Sequence, residues 1–159
     1  MRRDAFRVPR HPSSVGLARL RVCRHLAVCG HETGSEAADA ALLVVSELVT
    51  NAVRHGPVLE REVEIAVTAL HDGSCLVEVR DESTTVPHVR TANDGQGEQE
   101  ESGRGLSLVG ALAEAWGVAR HRDGRGKTVW ALLPSPAPPR ATHSEVCALS
   151  HADIGTAVR

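Results

Sequence analysis

The hydrophobic period of the chain changes at Gly56-Pro57, and that change decides which folds remain open. From about Ser35 to His55, apolar residues recur at helical spacing. Leu42, Val45, Val49 and Ala52 form one stripe, with Leu48 on its flank. Gly56 and Pro57 stop the helix. Beyond them "EVEIAVTAL" alternates Val63, Ile65 and Val67 against Glu62, Glu64 and Ala66, and "CLVEVRD" follows the turn "HDGS". Period two on both sides of a short polar turn predicts a β-hairpin.

The flanking segments extend the pattern. "DAFRVP" predicts a short strand ended by Pro9. A helix follows over "PSSVGLARLRVCRHLAVCG", with Ser13 or Ser14 as N-cap, an apolar pattern through Val15, Leu20 and Leu26, and Gly30 at its end. From Ser83 to Ser102 the chain is polar and nearly free of large apolar residues, which predicts a long loop acting as a lid. "GRGLSLVGALAEAWG" returns to helix, with Leu106, Val109, Leu112 and Ala113 on one face. "GVARHR" and "GKTVWALLP" are two more strands around the turn "DGRG". The order is strand, helix, helix, two strands, lid, helix, two strands. It predicts an α+β (α/β) two-layer sandwich, a mainly antiparallel sheet with helices on one face. It lacks the strand–helix alternation of a doubly wound dinucleotide fold. Residues 1–134 are expected to form the domain, and the Pro-rich residues 135–159 a mostly disordered tail.

Composition narrows function. Hydrophobic residues make up 42% of the 159 and charged residues 24%, which suits one globular domain. Aromatics are only 2% (Phe6, Trp116 and Trp130), so the core must be built from Val, Leu and Ala, and the scarcity argues against a base-stacking platform for single strands. A net charge of -2 gives no basic surplus for a phosphate backbone, so no nucleic-acid partner is expected. The longest apolar run, Ala40 to Val45, is too short to cross a bilayer. No signal peptide is evident. A cytoplasmic protein without membrane contact is expected. Cys23, His25, Cys29 and His31 lie close in sequence, but Cys23 and Cys29 point to different sides of a helix and the spacing is not that of a zinc finger.

The polar residues of the long helix are placed unusually. Glu47, Asn51 and His55 repeat at every fourth position on a line beside the core stripe, while Ser46, Thr50 and Arg54 sit further toward solvent. A solvated face explains such a line when it stands alone. Here other signals accompany it. Asp81 ends a strand at the core edge, where a buried carboxylate needs a donor such as an adenine amine, or else caps the following loop. Gly103 and Gly105 open a helix with Arg104 between them, so backbone N–H groups could approach a phosphate. Thr128 heads the last strand.

Glu-x3-Asn on a helix, an Asp at a strand end, a polar lid, Gly-x-Gly and a Gly-Lys-Thr strand together resemble the GHKL ATPases: gyrase, the heat-shock chaperone, histidine kinases and mismatch-repair ATPases. "SELVTNAVRHG" with "GRGLSLV" is most similar to the anti-sigma-factor serine/threonine kinases, over about residues 5 to 134. The resemblance implies a Bergerat-type ATP-binding fold. It implies Asn51 as ligand to a Mg2+ ion on the phosphates of ATP, and Glu47 as catalytic base toward the attacking hydroxyl. Asp81 would take the adenine amine with support from Thr128. Gly103, Arg104, Gly105 and Leu106 would hold the phosphates, with His55 nearby. The implied partners are a sigma factor and a phosphorylated anti-sigma-factor antagonist, and the resembling kinases work as homodimers.

One departure is plain. Where the family has Asp-x-Gly-x-Gly, this chain has Asp81-Glu-Ser-Thr-Thr-Val-Pro87. The sequence therefore supports a second reading, a nucleotide-responsive partner-switch module with weak or no kinase activity.

Overall fold

The computed structural model describes residues 1–56, 61–83, 104–122 and 124–135, with the side chain of Arg104 left out. The expected lid from residue 84, Gly103 and the expected tail from residue 136 lie outside the described residues. Strand β1 (Arg2–Pro9) leads into helices α1 (Ser14–Val28) and α2 (Glu36–His55). The hairpin β2 (Glu62–Ala69) and β3 (Cys75–Asp81) follows, then α3 (Arg104–Leu112), β4 (Ala115–Arg120) and β5 (Lys127–Leu133).

The five strands form one sheet in the order β1-β2-β3-β5-β4, and every neighbouring pair is antiparallel. Alternation sends Val63, Ile65 and Val67, then Val77 and Val79, then Val129, Ala131 and Leu133 to the same face. There they meet Ala18, Val22 and Leu26 of α1, Val44, Val45, Leu48 and Val49 of α2, and Leu106 and Val109 of α3 in one core. The helices thus lie on one face of the sheet, as expected. Phe6 is the only described aromatic residue counted as buried. The rest of this core is aliphatic, and each fully buried Val or Leu contributes about 1.5–3 kcal/mol.

Local chemistry sets the boundaries. Ser35 caps α2 by accepting from the Ala38 N–H at 3.3 Å. Gly30 closes α1 at φ +93, where its N–H bonds the Ala27 carbonyl and the His31 N–H bonds that of Leu26, a Schellman pattern. The β2–β3 turn is held by Asp72, whose Oδ1 accepts from the Ser74 N–H at 2.9 Å and its hydroxyl at 2.6 Å. Those two bonds, the hydroxyl first, hold the Asp72 carboxyl below its ordinary range.

Two expectations need correction. Leu20 is half exposed, and α1 meets the core through Ala18, Val22 and Leu26. A small residue lets α1 come close to the sheet, which apolar spacing alone does not reveal. Helix α3 stops at Leu112, earlier than its alanine-rich sequence predicts, and Ala115 and Trp116 are already strand. Glu114 N–H bonds the Leu132 carbonyl at 2.9 Å, and Trp116 pairs with Ala131 in the sheet. Pairing with β5 outweighs local helix propensity.

Candidate functional site

The polar line of α2 runs along its margin. Val44, Val45, Leu48 and Val49 are buried, Glu47 and Asn51 are half-buried, and His55 at the last helical position is exposed. Leu48 belongs to the buried centre, whereas Leu42 packs at the edge of the core.

Glu47 faces the start of α3. A Cβ built on Gly105 would overlap Glu47 Oε2. Glycine there lets the head of α3 pack directly on the carboxylate, and a larger residue would displace the end of the Glu47 side chain. One turn further along α2, Asn51 has its side-chain nitrogen buried with no hydrogen-bond partner among the described residues. A buried amide is rarely left so. Amide nitrogen and oxygen are assigned from the bonds they make, so the Asn51 amide can turn either atom to a ligand. Its oxygen suits a hard cation, and the orphaned amide fits a Mg2+ ligand. Leu106 is fully buried in the core, which leaves its backbone and not its side chain for an anion.

Asp81 closes β3 on the helix-facing side and is 3% exposed. Its Oδ1 accepts from the Ser83 N–H at 2.8 Å and from the Lys127 ammonium at 2.7 Å. Lys127 is itself 4% exposed and reaches the Ser83 carbonyl at 3.4 Å. The structure therefore brings Lys127, not Thr128, to Asp81. In the antiparallel register Asp81 pairs with Lys127 and Arg80 with Thr128, so Thr128 turns to the outer face. Its hydroxyl there lies 3.0 Å from His121 Nε2. The sequence reading missed Lys127, though the signal was present. Val129, Ala131 and Leu133 must point inward, and Lys127 shares their parity.

Gly126 makes this pairing possible. Its φ is +85, and a Cβ there would overlap the Asp81 carbonyl oxygen and crowd Glu82 Cα. A separate groove of about 1040 Å3, lined by Ser35, Ala40, Leu43, Leu112 and Pro134, lies at the other end of α2 and contains none of these residues.

The model for the histidine kinase-like ATPase domain matches residues 8–133, from the end of β1 to the end of β5. The chain belongs to the histidine kinase-like ATPase family. Its fold is similar to the crystal structure of the RsbU and RsbW domains of Rv1364c from Mycobacterium tuberculosis, with TM-score 0.61 and 19% identity. That match covers 87% of this chain and 34% of the other, so this chain spans about one third of that structure. The histidine kinase domain of the blue-light-activated histidine kinase of Erythrobacter litoralis EL346 matches at TM-score 0.44 and 19% identity, over 80% of this chain and 61% of that one. No curated protein matches the sequence. Membership in the histidine kinase-like ATPases implies an ATP site, and among the described residues no helix is long and apolar enough to cross a membrane.

Proposed function

We propose that this histidine kinase-like ATPase is a serine/threonine protein kinase of the anti-sigma type. It would transfer the γ-phosphoryl group of ATP to a hydroxyl of an anti-sigma-factor antagonist and so release or capture a sigma factor. The observation that carries the reading is the pairing on α2: a carboxylate against the head of α3, and one turn away a buried amide nitrogen with no partner among the described residues. Phosphoryl transfer asks a protein for positioning, charge neutralisation and one base, and little covalent chemistry. The fold of the RsbU–RsbW structure supports the choice within the family.

In this mechanism Asn51 holds Mg2+ by its amide oxygen. The ion neutralises charge on the phosphates when bound. Glu47 accepts the proton of the attacking hydroxyl as the new O–P bond forms and the bond to the ADP oxygen breaks. Gly105 leaves room for the carboxylate beside the phosphates, where the backbone at Arg104, Gly105 and Leu106, the head of α3, offers N–H groups. Asp81 receives the adenine amine. His55, exposed at the end of α2 and on the same line, would lie toward the partner or the phosphates.

A second reading, a nucleotide-responsive binding module without transfer, is favoured by one observation. Asp81 Oδ1 is already engaged by Ser83 and Lys127. Incubation of the protein with γ-labelled ATP, Mg2+ and candidate antagonists separates the two. Labelled antagonist is expected; ATP binding without any label on an antagonist would favour the binding module.

A further inference from the structure

Lys127 is the only lysine of the chain, and it is buried. A buried ammonium has three protons to place. Two have acceptors, Asp81 Oδ1 and the Ser83 carbonyl. Among the described residues no acceptor takes the third. Asp81 is in the complementary position: both of its donors come to Oδ1, and among the described residues none comes to Oδ2. One donor and one acceptor, both charged and both on buried side chains, thus stand side by side at the end of β3.

We propose that Lys127 is a specificity-determining residue that reads the base together with Asp81. Oδ2 accepts from the exocyclic amine of a 6-aminopurine, and Nζ donates to the adjacent ring nitrogen N1. The inference rests on the reading above that Asp81 meets the base, and it deepens that reading from one bond to two. A 6-oxopurine in the same seat presents a carbonyl to the carboxylate and an N1–H to the ammonium. Both contacts are then repulsive, and rejection by unpaired buried polar groups is steep.

Outward-facing Thr128 cannot serve N1, because its side chain is on the other face of the sheet. Lys127 is held for the task by the register of β3 and β5 and by the close approach of Gly126 to the Asp81 backbone.

Calorimetry of the full chain with Mg2+ tests this with ATP, inosine triphosphate and 1-deaza-ATP, which keeps the amine but replaces N1 by a C–H. The expected order is ATP tightest, with 1-deaza-ATP about tenfold to a hundredfold weaker and inosine triphosphate weaker still. Lys127→Met should lower ATP affinity to the native level for 1-deaza-ATP and make the two ligands equivalent. The ligand comparison on the native chain needs no variant, so a poorly folded Lys127→Met does not rescue the idea. If native protein binds 1-deaza-ATP as tightly as ATP while still rejecting inosine triphosphate, Asp81 reads the base alone and Lys127 does not. If it binds none of the three, the nucleotide reading itself falls, and this proposal with it.

Discussion

Gly105 and the Glu47 carboxylate are packed so closely that the hydrogen on Gly105 cannot become a methyl group while Glu47 keeps its place. The clash would fall on the far end of a flexible side chain, which can swing away. Alanine is also about 1 kcal/mol better than glycine within a helix. Gly105→Ala should therefore leave the melting temperature level or slightly raised. Phosphate transfer should fall by tenfold or more, because a displaced base loses its alignment. Melting and transfer measured on the same preparation check this; normal transfer would show that Glu47 is not held by that contact.

Asn51 should behave as a binding residue and not as a structural one. Its amide nitrogen is buried without a partner among the described residues, so Asn51→Ala removes a group that costs stability in the free protein. Urea unfolding should show no loss, or a gain of up to about 1 kcal/mol. ATP binding should meanwhile become nearly insensitive to Mg2+. A variant with native Mg2+ dependence would move the metal elsewhere.

The Asp81–Lys127 pair gives the opposite stability pattern. Each charge is buried against the other at 2.7 Å, and removing one leaves the second uncompensated. Lys127→Met alone should cost about 3–5 kcal/mol, whereas Asp81→Asn with Lys127→Met should recover much of that. A double-mutant cycle in urea measures the coupling. Additive single effects would mean that the pair is not energetically linked.

The same pair shows where sequence reading succeeds and fails. The change of period at Gly56, the start of the long helix near Ser35 and the alternating hairpin were legible because they depend on neighbours in the chain. So was the line of Glu47 and Asn51, which follows from helical geometry. The partners of those residues were less legible. Lys127 was passed over because a charged residue at a strand head reads as solvated, and only the inward parity of Val129 and Ala131 places it against Asp81. The Gly105 contact depends on the separation of two helices, and the early end of α3 depends on pairing with β5. Neither quantity is written in local sequence.

Cys75 carries a pH dependence of its own. Burial, and to a lesser degree the nearby Cys29, push its thiol up from 9.0 to about 12. The folded state therefore keeps a proton that the unfolded chain releases. This contribution to stability is fully present below pH 9 and is lost progressively as pH rises from 9 toward about 12. Cys75→Ala, or Cys75→Val if the cavity left by alanine is too costly, should flatten stability against pH over that range. In native protein at pH 8 a thiol reagent should modify partly exposed Cys23 and Cys29 before Cys75. Early labelling of Cys75 would mean that β3 opens readily.

Glu47 decides between kinase and binding module. It stands one helical turn before Asn51, so one helix face can position the base while the amide holds the metal. Its half-buried site against Gly105 limits the directions the carboxylate can take. Glu47→Gln keeps size and hydrogen-bonding reach but cannot accept a proton at neutral pH. General-base assistance is worth roughly a hundredfold to ten-thousandfold, so transfer to an antagonist should fall by that much. ATP affinity, which owes nothing to proton removal, should change less than about threefold, because a neutral amide still fits the space. Sigma-factor binding should be unchanged. Single-turnover transfer with labelled ATP, alongside calorimetry, separates these effects. A Glu47→Gln variant as active as native would reduce Glu47 to a packing partner of Gly105, and the base would have to be sought on another element.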